Sequence, residues 1–163
     1  MKARTKAWFL LLAASFLGIG FGAPLARAEC PKLSSGQTVY MAAYANVFTG
    51  AKSHELPLAA TLVVRNIDPG QAVTVRYIKY YGSQGQLLQE YLSSPISLPP
   101  LGTRRFLVQN KDPKQVQEGA CFLLAWEAAR PVNPLLAECL MIGSAGQQGI
   151  SFTAPGVVIQ ADK

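Results

Sequence analysis

One histidine, three cysteines and nine carboxylates are the groups in this chain that could do chemistry, and their spacing decides whether they share any. His54 stands in Lys52-Ser53-His54-Glu55, a polar run before Leu56. An imidazole serves a nucleophile or a metal only beside a partner group. Ser144 offers none: Ile142-Gly143-Ser144-Ala145-Gly146 has isoleucine where a nucleophile elbow needs glycine, two residues before its serine. His54 therefore reads as an exposed loop histidine. The carboxylates are scattered, most of them at turns or strand ends, so only distant strands could assemble an acid/base pair. Cys30, Cys121 and Cys139 are 91 and 18 residues apart, unlike the close ligand pairs of a zinc site. Met41 and Met141 could join a cysteine around copper, but strand methionines usually fill cores. No catalytic residue, metal or cofactor is expected.

Binding is better equipped. Tyr40 and Tyr44 lie four apart in Val39-Tyr40-Met41-Ala42-Ala43-Tyr44, on one face if the chain is extended. Gln147 and Gln148 sit in a loop of small residues, Gly143 to Gly149. Phenol rings give flat contact, and side-chain amides both donate and accept, which suits sugars or peptides. The plainer reading is half-buried tyrosines and a Gly-rich hairpin connection.

Export follows from the first 28 residues. Lys2, Arg4 and Lys6 precede an apolar run from Ala7 to Phe21, which Gly18, Gly20, Gly22 and Pro24 loosen before Ala26-Arg27-Ala28. A basic head, an apolar helix and small residues at −3 and −1 predict a signal peptide cleaved after Ala28. Retention as a membrane anchor is the alternative, since Ala7 to Ala26 is barely long enough to span. Lipidation of Cys30 is disfavoured by the long, charged Glu29 before it. Four of the 15 basic residues lie in the leader, so the formal charge of +6 falls to about +2, 11 basic against 9 acidic. The rest are scattered, and Arg104-Arg105 would point to opposite faces of a strand. That excludes the basic stripe a nucleic-acid binder needs.

The mature chain reads as short β-branched and aromatic runs between turns. Thr61 to Arg65 ends at Asn66-Ile67-Asp68-Pro69-Gly70, and Ala72 to Tyr81 alternates with a period of two. Gly82-Ser83-Gln84-Gly85 then turns the chain into Leu87 to Leu92. Arg104 to Gln109, Cys121 to Glu127, Leu135 to Ile142 and Gly149 to Thr153 follow, with Val157 to Gln160 as an edge strand. Leu87 to Leu92 and Leu135 to Leu140 also fit a helical period, but neither is long enough between Gly and Pro to favour one. The pattern predicts an all-β fold: one antiparallel, immunoglobulin-like β-sandwich over 37–163, after the signal helix (1–28) and a flexible stretch (29–36). A hairpin from Cys121 to Ile142, turning near Arg130-Pro131, would set Cys121 opposite Cys139 within disulfide reach, with Cys30 left free. Phe122, Leu124 and Trp126 would then face the core.

Particular residues carry a resemblance. Thr61-Leu62-Val63-Val64-Arg65-Asn66 with Asp68, Tyr80-Tyr81, Gly85, Leu87-Leu88, Tyr91-Leu92, Pro95, Leu98 and Pro100-Leu101 resemble the bacterial family called domain of unknown function 3124. So do Met141-Ile142-Gly143, Gln148 to Thr153 and Gly156. The likeness covers roughly 37–159 and departs at Gly82, where an acidic residue is usual, and at Cys121 and Cys139. It implies an exported or lipid-anchored one-domain protein, and it supplies location without function. The expectation is a periplasmic or secreted, non-catalytic module that binds another envelope component, a protein or a saccharide. A saccharide or small-molecule binder using Tyr40, Tyr44, Gln147 and Gln148 is the alternative, and a hydrolase the more remote one. Nucleic acid is excluded, and a membrane is touched only through an uncleaved leader.

Overall fold

The computed structural model describes residues 31–50, 54–108, 119–145 and 148–161. The expected signal peptide, its expected cleavage after Ala28, and Cys30 lie outside them. The described residues form twelve strands: β1 (Ser34–Ala43), β2 (Asn46–Thr49), β3 (His54–Pro57), β4 (Ala59–Arg65), β5 (Val73–Tyr81) and β6 (Leu87–Glu90). They are followed by β7 (Ile96–Leu98), β8 (Thr103–Leu107), β9 (Ala120–Val132), β10 (Leu136–Ala145), β11 (Gln148–Pro155) and β12 (Val157–Ala161). Among the described residues there is no helix, so none is long and apolar enough to cross a membrane. The runs with helical period are strands, because neither has the length to close several helical turns.

The strands form two large antiparallel sheets and a small hairpin. The first sheet has the order β12-β1-β9-β5-β6, with β7 also paired to β5; the second is β11-β10-β4-β8; β2 and β3 pair with each other. Inward side chains of both large sheets share one apolar cluster, Met41, Val75, Phe122, Leu124 and Trp126 from the first meeting Leu62, Ala137 and Met141 from the second. Phe122 is its aromatic centre, 4.9 Å from the Tyr80 ring and 5.7 Å from Tyr91. A fully buried ring of that size is worth on the order of 3 kcal/mol of transfer energy.

Two expectations are corrected here. Cys121 and Cys139 are free thiols, and the hairpin that would have joined them does not form. β9 pairs with β1 and β5, whereas β10 pairs with β4 and β11, so the two strands belong to different sheets. Even-numbered residues of β9 face the core, leaving Cys121 on the outer side of the first sheet. Odd-numbered residues of β10 face inward, so Cys139 lies in the core. The period of two in β5 is also broken. A bulge at Arg76 lets Val75 pair with Trp126 and Tyr77 pair with Ala125. The extra residue reverses the alternation. Val73, Val75, Ile78 and Tyr80 face the core, while Thr74, Tyr77, Lys79 and Tyr81 face out.

Among the connections between the large sheets, β4–β5, β7–β8 and β9–β10 are tied together by one asparagine and one aspartate. Asn66 follows β4, and its buried Nδ2 faces the carbonyls of Gln71, Leu98 and Pro99 at 2.7, 3.2 and 3.0 Å. Its Oδ1 accepts the Asp68 N–H at 3.0 Å. Asp68 Oδ1 accepts from the Gly70 and Gln71 N–H groups, both at 2.9 Å, and its Oδ2 accepts from Asn133 N and Nδ2 at 3.1 and 3.3 Å. Asn133 lies in the β9–β10 connection, and Leu98 ends β7 with Pro99 just after it, before the chain enters β8. The Asn66–Asp68 turn, which sequence pattern marks only as a loop, is the hub of the architecture.

These donors, the Gly70 N–H foremost and Asn133 next, hold the Asp68 carboxyl below the usual carboxylate range. A depressed folded-state pKa stabilises above the unfolded value and loses that contribution as pH falls through the folded one. Wild type should therefore outlast Asp68→Asn in urea at pH 7, and the gap between their midpoints should close as the medium is acidified below about pH 4. A gap that stays constant down to pH 2 would remove the carboxylate from this role.

Candidate functional site

The outer face of the first sheet collects the polar and aromatic side chains that the core rejects. Register across β1, β9 and β5 sets them in rows: Thr38, Ala125 and Tyr77; then Tyr40, Leu123 and Lys79; then Ala42, Cys121 and Tyr81. Beyond Lys79 the row continues to Glu90 of β6, and beyond Tyr40 to Val157 of β12. Tyr40, Tyr77 and Tyr81 thus surround Leu123 and Cys121 on three adjacent strands. β9 and β5 are interior strands paired on both sides, so the face is rigidly mounted.

Its charges are mutually satisfied. Lys79 Nζ is 3.1 Å from Glu90 Oε1 and 5.3 Å from the centre of the Tyr77 ring. The hydrogen bond to Glu90 raises the lysine's pKa. Burial raises the Tyr40 phenol, and the neighbouring Cys121 adds to the rise. Cys121 is pushed up by its own burial, partly offset by the hydrogen bond with Tyr40. Cys139, buried in the core, is pushed to about 11. Neither cysteine has the depressed pKa of a thiolate nucleophile.

At one end of this face, an open cleft of about 540 Å³ is lined by Ser35, Ala72, Thr74, Glu127, Ala128 and Ala129. Glu127 lies 3.6 Å from Arg76, the bulge residue. The other described carboxylates are engaged separately: Glu138 with Arg65, Glu90 with Lys79, Glu55 with the Asn46 amide, and Asp68 within its turn.

The residues singled out by sequence are dispersed. Tyr40 lies on the tyrosine face. Tyr44 follows the end of β1 and turns toward the second sheet, its ring 6.0 Å from Phe152. Gln147 lies outside the described residues. Gln148 begins β11, its backbone paired with Ala145. His54 is exposed on β3, opposite Thr49. Met41 and Met141 are fully buried core side chains. Of the residues named for binding, the described Tyr40 and Tyr44 do not line the cleft. Tyr77 and Tyr81 were missed because strict alternation groups Tyr77 with the inward Val73 and Val75. The signal was Lys79, a charge that strict alternation would place on the core face with Val73, Val75 and Tyr77.

The glycines of the carboxyl-terminal motif are architectural. A Cβ on Gly143 would fall 2.6 Å from Leu58 Cδ2 and 2.7 Å from the Pro57 carbonyl. Gly156 is the single residue between β11 and β12, where the chain passes from the second sheet to the first. Its N–H donates to the Ala137 carbonyl at 2.8 Å.

The sequence profile of a family described as a protein of unknown function (DUF3124) matches residues 36–159, about three quarters of the chain. The chain belongs to this family. Asn66 and Asp68, at the crossings, and Gly143 and Gly156, at close approaches, are structural residues in this fold. No curated protein is similar to this chain. A crystal structure of Thermotoga maritima 1070 is similar over 77% of this chain and 97% of that one, at 7% identity and a TM-score of 0.48.

Proposed function

We propose that this family member is an exported, immunoglobulin-like β-sandwich that works by non-catalytic binding, engaging another envelope component through the outer face of its first sheet. The observation that carries the reading is the arrangement of Tyr40, Tyr77 and Tyr81 around Leu123 on three adjacent strands. Tyrosine brings large contact area at small entropic cost and keeps a hydroxyl for hydrogen bonding, which enriches it at protein interfaces. The face is a sheet surface rather than a hollow, and a broad apolar-aromatic surface suits a macromolecular partner. Charge pairs at its border, such as Lys79 with Glu90, would act as a polar rim.

A saccharide would need open ring faces to stack on. Lys79 already occupies one side of Tyr77, which turns that ring toward cation contact. The cleft lined by Ser35, Thr74 and Glu127 supports a second reading, a small polar ligand held by hydroxyls and one carboxylate.

Capture from envelope extract on the immobilised mature domain separates the two. Tyr40→Ser with Tyr81→Ser should weaken capture about 30-fold, the loss of one interface hot spot of about 2 kcal/mol. The urea midpoint should move little, since both rings lie on the outer face. If the tyrosine variant captures as wild type does while Thr74→Trp abolishes binding, the cleft reading replaces the first.

A further inference from the structure

The edges of the two large sheets are not protected alike. On the first sheet, β6 carries Glu90, and β7 is three residues long between Pro95 and Pro99. On the second, β8 carries Arg104 and Arg105, and β11 contains Gly149 and closes on Pro155. Short strands, charges and prolines are the usual means of keeping an edge from pairing with another chain. β12 has neither charge nor proline, and a bulge at Ile159 is its only such feature among Val157–Ala161. It reads Val157-Val158-Ile159-Gln160-Ala161, all five residues are exposed, and β1 pairs only one of its sides. Val157, Val158 and Ile159 are 58%, 46% and 59% exposed.

We propose that β12 is a self-pairing edge, through which two copies of this chain join antiparallel about a twofold axis and merge their first sheets. The charge pattern selects the occupant. Centred on Ile159, the pairing sets Val157 opposite the second copy's Ala161 and Val158 opposite its Gln160, and Ile159 meets its twin. Among the five residues of β12, no charge faces another or is buried against valine or isoleucine. The same operation on β8 would bring arginines against arginines. A twofold interface must complement itself, and only an edge without net charge does so at no electrostatic cost.

Area sets the strength. A five-residue strand is about 17 Å long, and with its three β-branched side chains it covers on the order of 400 Å² per copy. A stable interface needs roughly 600–1,000 Å² per partner, so the association is weak and concentration-dependent. The extra residue at Ile159, where Thr38 pairs with Gln160 and Val39 with Val158, adds local twist and keeps the new ladder short. Neighbouring Tyr40, opposite Val157, extends the joined surface.

This inference does not depend on the proposed function, because it is tested on the purified chain alone. Sedimentation velocity between about 10 μM and 1 mM should show wild type moving toward twice the monomer mass. Val157→Lys with Ile159→Lys should stay monomeric throughout, and Tyr81→Ser should associate as wild type does. In a Cys30→Ser background, mild oxidation should cross-link Ile159→Cys between copies and leave Leu107→Cys uncross-linked, although Leu107 is 53% exposed on β8. A wild type that remains monomeric at the highest concentration overturns the proposal. So does a dimer that survives both lysines, or cross-linking at 107 as fast as at 159.

Discussion

Asn66→Ala is expected to lower stability by about 4 kcal/mol, read as a shifted urea midpoint with an unchanged slope. The side chain is buried, and its Nδ2 faces carbonyls from the β4–β5 turn and from the end of β7. Removing the amide leaves these carbonyls short of a donor in a place water cannot freely reach, and it frees the Asp68 N–H as well. An unsatisfied buried polar group costs about 1–3 kcal/mol, so several together reach a large fraction of a domain's total of roughly 5–15 kcal/mol. The loss should be cooperative across both sheets, since the turn ties crossings that belong to each. Asn66→Asp offers a check. It keeps the acceptor for the Asp68 N–H but removes the donor, so it should be nearly as damaging as alanine. A change below about 1 kcal/mol in either variant would show that the turn is held by its backbone alone.

The second large effect is expected at Gly156. Substitution by valine should cost about 3 kcal/mol, because a side chain there has nowhere to go. Its Cβ would lie 2.6 Å from Val39 Cγ1 and 2.8 Å from the Ala137 carbonyl, and the latter is backbone that cannot rotate aside. Making room means moving β12 away from β1 or opening the Gly156 to Ala137 hydrogen bond at 2.8 Å. Gly156→Ala should show the smaller part of the same loss. Hydrogen exchange would locate it: amides of β1 and β12 should lose protection first, while β4 and β8 retain theirs. Equal stability of the valine variant and wild type would mean that the glycine serves something other than packing.

Much of the architecture is written locally. β-Branched and aromatic runs between Gly, Pro and Asn-Asp turns gave the strand positions from Thr61 onward. They also gave the inward side of β9, where Phe122, Leu124 and Trp126 are fully buried. These are short-range properties, because a strand's two faces alternate whatever it pairs with. The edge character of Val157 to Gln160 was legible for a related reason: the run is short and follows Pro155-Gly156.

What residue types and spacing determine by themselves here is therefore an all-β chain of this family, with its turns and its core residues. Strand partnership and the outward face were decided only by the tertiary structure. Cys121 and Cys139 satisfy the alternation of a hairpin, yet they lie on different sheets, because the Asn133 connection, held by Asp68, crosses between layers. Nothing near either cysteine encodes a hydrogen bond to a residue more than fifty positions earlier. The bulge at Arg76 likewise moved Tyr77 and Tyr81 outward and Tyr80 inward, since one inserted residue inverts every later side chain of its strand. Pairing and register are non-local, set by which packing buries the most apolar surface with its polar groups satisfied. The tyrosine face, being a product of both, exists only once the chain has folded.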